Sequence, residues 1–122
     1  MYVERHAVTA TTDGSGDVTA YTPVITGAIL SIPYVKTDYT NGVDFVVTTE
    51  TTAQSVWSEN DVNASTIRCP RQAIHSTAGA ALLYAAGGTA QVDPIYVAGE
   101  RVKFVVSSGG ASKVGTFYVT VG

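Results

Sequence analysis

The stretch from Glu100 to Val121 constrains the fold more than any other part of the chain. Val102, Phe104 and Val106 fall on one side of an extended run, with Arg101, Lys103 and Ser107 on the other. After Gly109-Gly110-Ala111-Ser112 the pattern resumes, Phe117, Val119 and Val121 alternating with Thr116, Tyr118 and Thr120. A period of two residues belongs to strands with one dry face and one wet face, and the small-residue turn between the runs predicts a C-terminal β-hairpin. A core built on such strands has to be closed by other strands.

The rest of the chain supplies them. Tyr2 to Thr12 is rich in Val and Thr, Asp13-Gly14-Ser15-Gly16 is a turn, and Asp17 to Thr22 returns, which predicts an N-terminal hairpin over residues 2–22. Val24 to Val35 is the most apolar run, with Ala28, Leu30, Ile32 and Tyr34 in one phase and Gly27 at a phase break that reads as a bulge or a close backbone approach. Pro33 cannot donate to a ladder, so this strand is expected to end at a sheet edge or leave the sheet there. Asn41-Gly42 marks a turn before Val43 to Thr49, and Gln54 to Ser58 reads as its return strand, with Trp57 as a core anchor. Residues 59–63 form a loop. Residues 73–88 are the least legible: Ile74, Ala78, Ala81, Leu82 and Ala85 fit helical spacing, but Gly79 limits this to one short helical turn. Thr89 to Val97 is extended again. The expectation is a single all-β domain over residues 1–122, an antiparallel β-sandwich or jelly-roll-like fold of about eight short strands, with at most one short helical turn.

Composition bears on function mainly by exclusion. Only 14% of the 122 residues are charged, well under the ~25% usual for soluble domains. A net charge of −3 argues against nucleic acid as a partner. The single cysteine, Cys69, allows no internal disulfide and fits a reducing compartment. The opening MYVERHAVTA has no apolar h-region, so no signal peptide is expected, and no apolar run approaches the ~18 residues of a membrane span.

No catalytic motif stands out. Ser76, His75 and Asp93 could be named as a triad, but they lack a nucleophile elbow or other local signature, and no catalytic residue, metal or cofactor is expected. The loop Glu59-Asn60-Asp61-Val62-Asn63 concentrates oxygens without the glycine and terminal glutamate of a calcium loop. Arg68, Arg71 and His75 form the one local concentration of positive charge, suited to a carboxylate on a neighbouring subunit. With Tyr84 they make up the expected interface set.

Residues 1–36 (MYVERHAVTATTDGSGDVTAYTPVITGAILSIPYVK) and 96–122 (YVAGERVKFVVSSGGASKVGTFYVTVG) resemble the small β-rich virion structural proteins of tailed bacteriophages. That resemblance implies a non-enzymatic protein of the virion, assembled in the host cytoplasm. Its partners would be the major capsid protein or other virion proteins, with self-association and neither nucleic acid nor membrane. The leading expectation is a capsid decoration, or cement, protein stabilising the head through contacts between subunits. A neck, head–tail connector or tail component is the alternative. From another class comes a carbohydrate- or host-surface-binding sandwich module, for which exposed aromatics are expected near Tyr39 and Tyr84.

Overall fold

A computed structural model describes residues 2–122. Ten strands follow in order: β1 (Glu4–Thr11), β2 (Val18–Tyr21), β3 (Ile25–Lys36), β4 (Asp44–Thr49), β5 (Ser55–Glu59), β6 (Thr66–Arg68), β7 (Arg71–Ala73), β8 (Val92–Glu100), β9 (Val102–Ser107) and β10 (Val114–Val121). They build two antiparallel sheets, β1-β10-β3-β8-β7 with β6 also on β3, and β2-β9-β4-β5. The all-β sandwich expected from the alternation is therefore present. It has two more strands than expected, and no helix among the described residues. The extra strands accompany β6 and β7, three residues each, which are too short to show a period.

Both terminal hairpins were expected to pair internally, and neither does. β1 lies in one sheet and β2 in the other, and the same holds for β9 and β10. Instead β1 pairs with β10 from Glu4↔Val121 to Thr11↔Val114, and β2 pairs with β9 from Val18↔Val106 to Tyr21↔Lys103. The two segments form one long antiparallel ribbon folded over at its middle. Alternation reports which face of a strand is dry, and strands of opposite layers share that property with true hairpin neighbours.

Hydrogen bonds carry the ribbon through its fold. Thr12 N donates to Lys113 O (2.8 Å), Ser112 N to Asp13 O (3.2 Å) and Gly109 N to Gly16 O (2.9 Å). The buried Thr12 hydroxyl accepts from Lys113 N (2.9 Å) and donates to Gly110 O. Asp13 Oδ1 accepts the backbone N–H groups of Ser15 (2.8 Å) and Asp17 (3.1 Å), fixing the turn.

The inner faces meet over an aromatic centre. Phe117 stands 4.7 Å from Phe104, 4.9 Å from Phe45 and 5.2 Å from Tyr34 between ring centroids. Trp57 closes the cluster 5.4 Å from Phe45, as a core anchor should. Tyr39 is only 1% exposed, its hydroxyl donating to Ala10 O at 2.6 Å, so the expectation of an exposed Tyr39 is corrected. Its ring fits because residue 115 is glycine: a Cβ there would fall 2.2 Å from Tyr39 Cε2. Tyr34 is as buried, but its hydroxyl finds no partner among the described residues, and burial pushes its pKa up to about 12.

β3 departs from its reading in two details. A register shift in its ladder with β10, where Ser31 faces Thr120 and Ile29 faces Val121, accompanies the change of phase that puts Ile29 in the core and leaves Leu30 half-buried. Pro33 does not end the strand, which stays between β10 and β6 with Pro33 opposite Ile67. Gly27 is the expected close approach: its φ is +139°, and a Cβ would meet Val121 Cγ1 at 2.8 Å.

Candidate interaction surface

Between β7 and β8 the chain leaves the sandwich as an arm, residues 74–91, where the sequence suggested a helical turn. Turns take its place. Ser76 N donates to Ala80 O (2.8 Å) and Gly79 N to Ser76 O (2.9 Å), with Gly79 at φ +82°. Farther out Tyr84 N donates to Thr89 O (3.0 Å) and Gly88 N to Ala85 O (2.8 Å), with Gly87 at φ +69°. Glycines with positive φ stop a helix that the spacing of alanines and leucines would otherwise allow.

Three backbone bonds knot the root of the arm. Ile74 N donates to Gln91 O (3.1 Å), Gln91 N to Leu82 O (2.8 Å) and Leu82 N to Ile74 O (3.0 Å). Past this knot every residue from Thr77 to Thr89 is exposed. Leu82 and Leu83 are each 40% exposed and Tyr84 74%. From Gln72 to Val92 the sequence holds no Asp, Glu, Lys or Arg, and its titratable side chains are His75 and Tyr84. Alongside the root, Val92 and Tyr96 add exposed apolar surface, the Tyr96 hydroxyl donating to Asp93 Oδ2 at 3.0 Å.

The expected interface set divides accordingly. His75 and Tyr84 stand on the arm, His75 in an isolated bridge with Ala81. Arg71 lies at its base, where its Nη1 donates to the carbonyls of Pro70 (2.7 Å) and Leu30 (3.3 Å). Arg68 is engaged within the chain: Nε and Nη2 grip Glu59 Oε1 and Oε2 at 2.8 and 2.9 Å. Those bonds from Arg68, then one from the Trp57 indole N–H (3.0 Å), hold the Glu59 carboxyl below its usual range. The exposure of Leu82 and Leu83 has no signal in the sequence, where Leu82 fits the spacing of a short helical turn.

In the 59–63 loop, Asn63 Oδ1 accepts Gly42 N (2.7 Å), Asn63 O accepts Lys36 Nζ (2.9 Å), and Asp61 N donates to Asp44 Oδ1 (3.0 Å). Among the described residues no three His, Cys, Asp or Glu side chains gather in a way that could hold a metal ion. Cys69 is exposed. No helix is long and apolar enough to cross a membrane among the described residues. With Tyr39 in the core, the sugar-binding alternative loses one of the two aromatics it was built on. No protein-family model matches the sequence, and no curated protein matches it.

Proposed function

We propose that this chain is a structural protein of a bacteriophage virion, a capsid decoration protein that docks on the shell through the arm between β7 and β8. One observation carries the reading: between β7 and β8 the sandwich presents a segment exposed from Thr77 to Thr89, apolar at Leu82, Leu83 and Tyr84, and free of Asp, Glu, Lys and Arg. Burying such a segment removes apolar area from water without stripping water from ions, so contact with an uncharged groove between capsid subunits is favourable. Binding to the assembled shell and not to its dissociated subunits then stabilises the shell by mass action. The resemblance of both chain ends to phage virion proteins supports the same reading.

The test is sedimentation of particles from an infected lysate. The protein is expected in the particle pellet in many copies per head, and a Leu82→Asp, Tyr84→Ala variant in the supernatant. A wild-type protein wholly in the soluble fraction overturns the proposal, whereas a single ring of copies at the portal would make it a neck component.

A further inference from the structure

β1 ends the larger sheet and, among the described residues, has only β10 beside it, in eight unbroken residue pairs. The opposite edge of such a strand leaves alternate backbone N–H and C=O groups without a ladder, a template that natural sheets guard with short strands, prolines, lysines or bulges. The other edges here are guarded. β2 is four residues long, with Arg101 stacked over Tyr21 at 4.1 Å. β5 is five residues long on a ladder that slips between Val47 and Thr48. β6 and β7 have three residues each and are joined through Pro70. β1 has eight residues, no proline, no lysine and no slip.

Charge is placed at the two ends of this edge. Arg5 lies near the start of β1 on the exposed face it shares with Ala7, Thr9 and Thr11, its guanidinium 4.9 Å over the Tyr118 ring and, among the described residues, in no salt bridge. Glu4 precedes it on the opposite face, the side of Val8 and Ala10, 3.4 Å from His6 Nε2. Ala7 to Thr11 is uncharged. Just beyond Thr11 stand Asp13 and Asp17, neither in a salt bridge among the described residues. On that exposed face the strand is basic at one end and acidic past the other, so the face is complementary to itself when reversed.

We propose that β1 pairs antiparallel with β1 of a second copy across a two-fold axis normal to the sheet, Arg5 of each copy facing the Asp13 corner of the other. An axis through Thr9 sets Ala7 opposite Thr11 and Arg5 opposite Asp13 of the second copy. Opposed residues then share parity, so the two cores lie on the same side of a continuous sheet. Each Arg–Asp pair adds favourable cross-strand energy, and the contact is isologous, so it closes at two copies. A purely acidic or purely basic partner strand would be repelled at one end; a reversed copy is attracted at both. This surface is separate from the arm and does not rest on the virion reading.

Sedimentation velocity on the full chain tests the pairing, with circular dichroism to check that each variant is folded. The expected result is a dimer that weakens severalfold as ionic strength rises from about 0.01 to 1 M. Arg5→Glu is expected to weaken it roughly tenfold, by turning two attractions into two repulsions. Ala7→Lys should abolish it. Adding Asp17→Lys to Arg5→Glu should recover part of the loss, since the Asp17 side chain accepts no hydrogen bond within the turn. A monomer at every concentration overturns the proposal, as does a dimer indifferent to both Arg5→Glu and Ala7→Lys. Particle binding through the arm is read separately, because these changes leave residues 74–91 intact.

Discussion

The folded corner of the long ribbon and the arm between β7 and β8 are built from the same small residues, yet they behave as opposites. At the corner Thr12 N, Asp13 O and Gly16 O bond to Lys113, Ser112 and Gly109, far away in the chain, and Thr12 is buried. In the arm the bonds of residues 74–91 stay among themselves. The glycines tell the same story. A Cβ at Gly16, Gly109 or Gly110 would sit 3.0 Å or less from another segment, whereas at Gly79 or Gly87 it would meet nothing within 4 Å. Glycine at the corner makes room for the rest of the molecule, and in the arm it only turns the chain. The corner therefore belongs to the cooperative unit and the arm does not.

The largest effect should come from the aromatic centre that the ribbon covers. Phe117→Ala removes a fully buried ring touching aromatic rings of both sheets, and should cost about 3–5 kcal/mol by denaturant unfolding. A loss below about 1 kcal/mol would mean the ribbon is not part of the core.

Next is a glycine whose substitution separates ribbon from arm. Gly115→Ala drives a methyl into the Tyr39 ring and threatens the Tyr39–Ala10 bond, so about 3 kcal/mol is expected. Gly79→Ala in the arm meets no atom; its left-handed φ costs about 1–2 kcal/mol locally, and opening the arm relieves it without unfolding the sandwich. Equal changes in unfolding midpoint for the two variants would erase the distinction drawn here.

The same contrast explains what the sequence made legible. Val102, Phe104, Val106, Phe117, Val119 and Val121 were assigned to the core by alternation alone, and all are buried. Pairing was not legible, because the 13–16 and 109–112 turns read as hairpin turns whether the strands they join lie in one sheet or in two. The burial of Tyr39 was not legible, because its polar neighbours hide a ring whose place depends on a glycine 76 positions later. In the arm, the spacing of Ile74, Ala78, Ala81, Leu82 and Ala85 suggested a short helical turn, since nothing local to them says that no partner element packs there.

A smaller effect is expected on lowering pH at the β5–β6 end. Glu59 is held below the usual carboxylate range, first by Arg68 and then by Trp57. A lowered carboxyl stabilises the fold above its unfolded pKa, and that stabilisation is lost as pH falls through the folded value. Both partners are partly exposed, so Arg68→Ala should cost no more than about 1 kcal/mol at neutral pH. It should also flatten the acid limb of the stability curve. An unchanged acid limb would show that the pair contributes nothing.

The smallest expected change in stability is the one that matters most for function. Leu82 and Leu83 are 40% exposed and Tyr84 74%, so Leu82→Asp with Tyr84→Ala removes little buried area and should shift unfolding by no more than about 0.5 kcal/mol. Backbone amides from Thr77 to Thr89 should exchange with solvent faster than those of Thr12, Gly109 and Lys113 at the corner, before and after substitution. A segment that adds nothing to folding and yet exposes two leucines and a tyrosine is costly to solubility, and it is explained if another surface covers it. If the variant instead unfolds markedly more easily, or the arm amides exchange as slowly as the corner, the arm is part of the sandwich and the docking proposal loses its basis.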